Sequence, residues 1–221
     1  MFQLRFFRDH AAPDLTAVGD RPAPHTVSYV FEGSANVAGT ELKQGQATYF
    51  NDHNVVRAGV QGAVIWRWEL VDRSAPLTPL KGDGVTSQLL MARDVKMFEL
   101  VPTSRWLFRL DTIVGFQGTT GVHSHPGSGI RCLVSGHLRA ESEKGESSDN
   151  RQPGTVWYEE GAYPLVSTVD PGIKTTFLRG MVLPPEYFGF ADSASWISGQ
   201  PEGGPTIEGH ETLADNIVSL V

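Results

Sequence analysis

The chain has 221 residues, with 24 glycines, 14 prolines and a single cysteine, Cys132. Its formal charge of −7 excludes a nucleic-acid-binding role built on phosphate neutralisation, which needs an excess of Lys and Arg. No apolar run reaches the roughly 18–20 residues of a membrane-spanning helix, and one cysteine excludes an internal disulfide framework.

The opening residues, Met1-Phe-Gln-Leu-Arg-Phe-Phe-Arg-Asp9, lack the long apolar segment and small-residue cleavage site of a secretory signal. With the lone cysteine, this makes a reducing cytoplasm the expected compartment. The high Gly and Pro content fits many short strands joined by tight turns. Strands are expected over Thr26–Gly33, Gly45–Phe50 and Gly62–Leu70. The last contains Trp66-Arg67-Trp68, whose alternation puts both indoles on one face. That face reads as an interface or sheet-packing surface, and with exposed sheet edges it leads to an expected homodimer.

Residues 72–84 read as a linker by their Pro, Gly and polar content. Strand-like runs resume at Lys96–Val101 and Arg105–Val114. The earlier signals then return in the same order, over Gly129–Gly136, Gly154–Glu159 and Thr175–Leu183. The Gly33–Gly45 spacing of 12 becomes 18 between Gly136 and Gly154, and the extra residues fall in the polar run Glu141–Asn150. A hairpin tip is where insertion costs least. Arg67 and Arg179 take equivalent places in the repeat, which suggests a structural ion pair for each. Residues 193–205 read as loop, and residues 208–220 as one short helix. The expected architecture is all-β, with two small barrels covering residues 1–84 and 85–221.

One run carries chemistry: Gly121-Val-His123-Ser-His125-Pro-Gly-Ser-Gly129. In an extended strand, residues i and i+2 share a face, so both imidazoles can aim at one point. Imidazole is the commonest metal-ligand side chain. Cys132 sits in an apolar strand as a buried thiol. His10, His137 and His210 lack motif context and default to the surface. No phosphate loop, nucleophile elbow or paired-cysteine zinc motif is present.

These residues resemble the cupin superfamily. Gly121, His123, His125 and Gly136 match its first motif, and Gly154, Val156, Trp157, Tyr158 and Gly161 match the frame of its second. The resemblance implies two double-stranded β-helix (jelly-roll) barrels, a bicupin, with a metal in the C-terminal one. The motif's glutamate would fall near Gly129 or Ile130, and its third histidine near Tyr163 or Pro164. Two histidines alone hold a divalent ion poorly. The nearest third donor is Glu159, with Glu160 and Tyr163 as fallbacks, because strand parity does not choose across a turn. In the N-terminal half, the places of His123 and His125 are taken by Asp20 and Pro22, so that barrel is read as metal-free.

The candidate metal set is therefore His123, His125 and Glu159. The candidate catalytic set is Glu159, Tyr163 and Arg131, with Arg131 placed to clamp a substrate carboxylate. Two histidines and one carboxylate suit Fe(II) first, with Mn(II), Zn(II) or Ni(II) as alternatives. The leading expectation is a metal-dependent enzyme, of dioxygenase type, acting on a small organic substrate. The alternatives are a non-catalytic small-molecule-binding or sensor protein, with an apolar pocket near Trp157, Tyr158 and Tyr163, and a structural protein.

Overall fold

Alternating residues and frequent glycine turns give antiparallel strands almost throughout. The computed structural model describes residues 1–22, 25–96, 105–144, 147–190, 192–197 and 204–219. The chain forms two units, Met1–Asp94 and Val95–Val221.

The first unit contains β1 (Phe2–Ala11), β2 (Thr16–Pro22), β3 (Thr26–Val37), β4 (Thr40–Lys43), β5 (Ala47–Phe50), β6 (His53–Asp72), β7 (Leu80–Lys81) and β8 (Val85–Asp94). They form one sheet, in which β3 pairs with β5 and β6, β6 with β1, and β1 with β8. The unit thus ends at Asp94, beyond the residues read as linker. Val85–Asp94, assigned from sequence to the second domain, hydrogen-bonds to β1 in the first. Val30, Ile65, Ala63, Ala11 and Phe50 belong to its apolar core.

The central Arg67 is fully buried and pairs with Asp9 at 2.8 Å and with Glu69. It also lies over the Phe7 ring at 4.3 Å and donates to Thr78 O at 3.1 Å. This is the structural ion pair expected from the repeat. Trp66 and Trp68 do share a face, but both are buried against Phe31 and Phe6. They offer no exposed surface to a second copy.

The second unit contains β9 (Arg105–Phe116), β10 (His123–Ser124), β11 (Gly129–Ser135), β12 (Leu138–Ser142), β13 (Ser147–Asn150), β14 (Val156–Glu159), β15 (Leu165–Thr168), β16 (Thr175–Leu183), β17 (Ser195–Trp196) and β18 (Gly209–Ser219). Two five-stranded sheets result, ordered β13-β12-β15-β10-β17 and β14-β11-β16-β9-β18. The polar run 141–150 belongs to the β12–β13 hairpin, as its composition indicated.

The segment expected to be helical is a strand. β18 pairs along the whole of β9, whose otherwise open backbone edge outweighs weak helical spacing. The strand expected at 96–101 lies, past Lys96, outside the described residues. Cys132 is buried and in no disulfide, as read from its apolar strand.

Candidate metal centre

The two sheets of the second unit enclose a cavity of ≈350 Å³. His123, Ser167 and Trp196 line it from one sheet, and Ile113, Arg131, Glu159, Phe177, Arg179 and His210 from the other. His125, just past β10, lines it as well.

Backbone contacts fix the two histidines. His123 sits in β10 between Leu165 and Trp196. His125 donates its amide to Gly161 O at 2.8 Å. Gly161 has φ +96°, and a Cβ there would lie 2.4 Å from Gly127 O. Only glycine allows that approach, so the second motif's glycine holds the first motif's loop.

The rings are edge to face, with centroids 5.2 Å apart. Nδ1 of His123 is 3.0 Å from Gly121 O, and Nδ1 of His125 is 3.3 Å from Ser193 O. A carbonyl only accepts, so each Nδ1 carries the proton and each Nε2 presents a bare lone pair. Burial lowers the pKa of both rings, with His125 well below its ordinary value, helped by the charges of Arg131 and Arg179. A neutral imidazole tethered through Nδ1 is the form in which histidine can bind a metal.

Strand parity now separates the glutamates. On β14, Trp157 and Glu159 face the cavity side, because Trp157 lies opposite Arg131 and Glu159 opposite Gly129. Glu159 Oε1 accepts from Trp157 Nε1 at 2.8 Å. Its Oε2 lies 2.7 Å from Arg131 Nη2 and 3.7 Å from His125 Nε2. Glu160 faces away and is paired by Lys96 at 2.7 Å and Lys144 at 2.5 Å.

Tyr163 does not line the cavity. It is 40% exposed, with the Lys144 ammonium over its ring. Trp157 packs with Phe177 in the apolar core of this unit rather than at a mouth. Arg131 is brought in. It is fully buried, and burial depresses its pKa. Gly129 makes the room: a Cβ there would lie 2.1 Å from Arg131 Nη1 and 2.6 Å from Gly180 O.

Three residues carry more than the sequence suggested. Asp111 is completely buried and binds Arg179 through both oxygens, at 2.7 and 2.9 Å. Burial alone would raise its pKa, but Arg179 and His210 hold it at about 2. His210, assigned from sequence to the surface, lines the cavity with Nε2 3.1 Å from Asp111 Oδ2. His137, also assigned to the surface, is buried between Asp149 and Asp170. Only the repeat position of Arg179 hinted at this network: the strand of Asp111 was expected, but its pairing with Arg179 was not, and the strand of His210 was read as a helix.

The donors fit a divalent first-row ion in kind, with two free imidazole nitrogens and one carboxylate oxygen. Among the described residues, no group of three or more His, Cys, Asp or Glu side chains is gathered as a metal site. Glu159 Oε2, the third donor, is held by Arg131.

The chain has the fold of oxalate decarboxylases. The Lactobacillus farciminis enzyme, solved as a formate complex, superposes with a TM-score of 0.59 at 12% identity, over 89% of this chain and 80% of that one. The Bacillus subtilis enzyme, studied for its Mn(II) centres, gives 0.57 at 14% identity, over 82% and 68%. The same enzyme at pH 4.6 gives 0.56 at 13%. Each overlap exceeds what either unit alone can supply, so both units take part. This is the cupin fold that the motifs resemble. No protein-family model and no curated protein matches the chain.

Proposed function

We propose that the second unit is a metal-dependent enzyme site of the cupin type, acting on a small organic substrate. The observation that carries this reading is the pair of neutral imidazoles whose Nε2 lone pairs face one enclosed cavity beside a carboxylate. His123, His125 and Glu159 would hold the ion. When bound, it supplies Lewis acidity or electron transfer to dioxygen, with positions left open for substrate.

The protein's own contribution is positional. Gly121 O and Ser193 O hold the rings in one tautomer. Ile113, Phe116 and Phe177 give the cavity an apolar wall. Arg131 presents a cation to the substrate. Dioxygenase-type oxidation is the reaction class that this ligand set suits first. The ligands alone favour Fe(II), whereas the Mn(II) centres of the Bacillus enzyme make Mn(II) the first ion to test. We read the chain as a bicupin whose first unit carries no metal. The places of Gly129, Arg131 and Glu159 are taken there by Thr26, Ser28 and Phe50.

A non-catalytic binding module is the second reading, and one observation favours it: Glu159 is engaged by Arg131 rather than by the histidines. Metal analysis separates the two. Protein purified without added metal is expected to carry about one equivalent of a divalent ion per chain, and His123→Ala/His125→Ala is expected to lose it. An unchanged metal content in the double variant would remove the proposed centre. Failure of the wild-type protein to take up Mn(II) or Fe(II) would leave the binding module.

A further inference from the structure

We propose that the cavity binds its metal and a small carboxylate cooperatively, because the metal and Arg131 compete for a single oxygen of Glu159. This rests on the metal-centre reading above and adds the substrate class.

The argument is one of charge balance. Arg131 is a fully buried cation. Its Nε, Nη1 and Nη2 have no well-formed hydrogen bond among the described residues, and its counter-charge is Glu159 Oε2 at 2.7 Å. That same oxygen faces His125 Nε2 at 3.7 Å, while Oε1 is tied to Trp157. Arg179, the other buried cation of the wall, is already saturated by both oxygens of Asp111. Asp111 also attracts Arg131, but less than Glu159 does, and the charge of Arg179 outweighs it.

Moving Oε2 onto a divalent ion leaves Arg131 buried, unpaired and next to a second positive charge. An uncompensated buried charge is strongly unfavourable, so the metal binds less tightly alone than with a counter-ion on Arg131. A carboxylate entering the cavity removes that penalty. Its planar pair of oxygens matches the guanidinium fork and gives the unpaired N–H groups their acceptors. One negative charge suffices, since one is displaced. The cavity, at ≈350 Å³, is of a size for a small molecule. Linkage makes the effect reciprocal: whatever factor the carboxylate adds to metal affinity, the metal adds to carboxylate affinity.

The test is calorimetric titration of metal-stripped protein with Mn(II), with and without saturating formate, acetate or propionate, and with chloride at matched ionic strength as control. At least one acid is expected to tighten Mn(II) binding by about fivefold or more, and Mn(II) to tighten that acid by the same factor. Arg131→Met is expected to bind Mn(II) independently of the acid, and Arg131→Lys, which keeps the charge, to retain coupling. Near-ultraviolet circular dichroism checks that each variant is folded.

Mn(II) affinity within twofold of the chloride value for all three acids overturns the proposal. So does coupling that survives in folded Arg131→Met. If that variant does not fold, Arg131→Gln is titrated in its place, and coupling that survives there overturns the proposal. No Mn(II) binding in any condition is a different failure, which removes the metal centre itself.

Discussion

The two units run the same strand order with different interiors. In the first, β5-β3-β6-β1-β8 are successive neighbours, and in the second, β14-β11-β16-β9-β18. The register matches as well: Ser28 lies opposite Arg67, and Arg131 opposite Arg179. Each central arginine is buried and paired with an aspartate of the next strand, Asp9 or Asp111. Around this shared frame, the first unit places Thr26, Ser28 and Phe50 where the second places Gly129, Arg131 and Glu159. Both interiors bury charge, Arg67 with Asp9 and Glu69 in the first and Arg179 with Asp111 in the second, but only the second adds a guanidinium and a carboxylate at these places. The frame is thus independent of the site, as expected when backbone pairing carries the architecture and side chains on one face carry the chemistry.

The largest expected effect tests the shared frame. Asp111→Asn removes the one carboxylate that hydrogen-bonds Arg179 among the described residues, and a loss of about 3–5 kcal/mol is expected in urea unfolding. Asp9→Asn is expected to cost less, on the order of 2 kcal/mol, because Arg67 keeps Glu69. Equal losses would mean that the second carboxylate gives Arg67 no protection.

A glycine substitution sharpens the contrast. Gly129→Ala pushes a Cβ against Arg131 and against the backbone oxygen of Gly180, so about 1–3 kcal/mol should be lost. At the equivalent place in the first unit, Thr26 has a buried hydroxyl without a partner among the described residues. Thr26→Val should therefore fall within about 0.5 kcal/mol of wild type or stabilise it. A tolerated alanine at 129 would show that Arg131 does not need that space.

The histidine pair should make the second unit sensitive to mild acid. Burial lowers both pKa values in the folded state. Below the ordinary value of about 6.5, the unfolded chain takes up protons that the folded rings refuse. Their contribution is therefore complete above that pH and declines as pH falls towards the folded values, by at most about 1.4 kcal/mol per pH unit per ring. In metal-free protein, His123→Gln/His125→Gln is expected to flatten the stability profile between pH 7 and 5. An unchanged slope would mean that the rings titrate normally. The smallest effect belongs to Tyr163. Tyr163→Phe should leave Mn(II) affinity unchanged and stability within about 0.5 kcal/mol, and a larger loss of affinity would return this residue to the site.

Much was legible in the residues themselves. Alternation and glycine spacing determined the all-β class, the repeat and the buried arginine pairs, because these depend on local period and turn chemistry. His123 and His125 were legible from their two-residue spacing, although the strand itself ends at Ser124. Glu159 against Glu160 was not: the decision needed the register of β14 on β11, which seats Glu159 opposite Gly129. The helix expected at 208–220 failed because a free edge on β9 is visible only once the sheet exists.

Asp111 and His210 show the same limit. Asp111 meets Arg179 through the pairing of β9 with β16, and His210 meets Asp111 through the pairing of β18 with β9, and strand pairing is not written in either segment alone. The sequence determined which groups can bind a metal. The tertiary structure decided which of them meet, and it pairs Glu159 with the buried Arg131. The physical reason is that donor type belongs to the residue, while distance and competition for an oxygen belong to the packing.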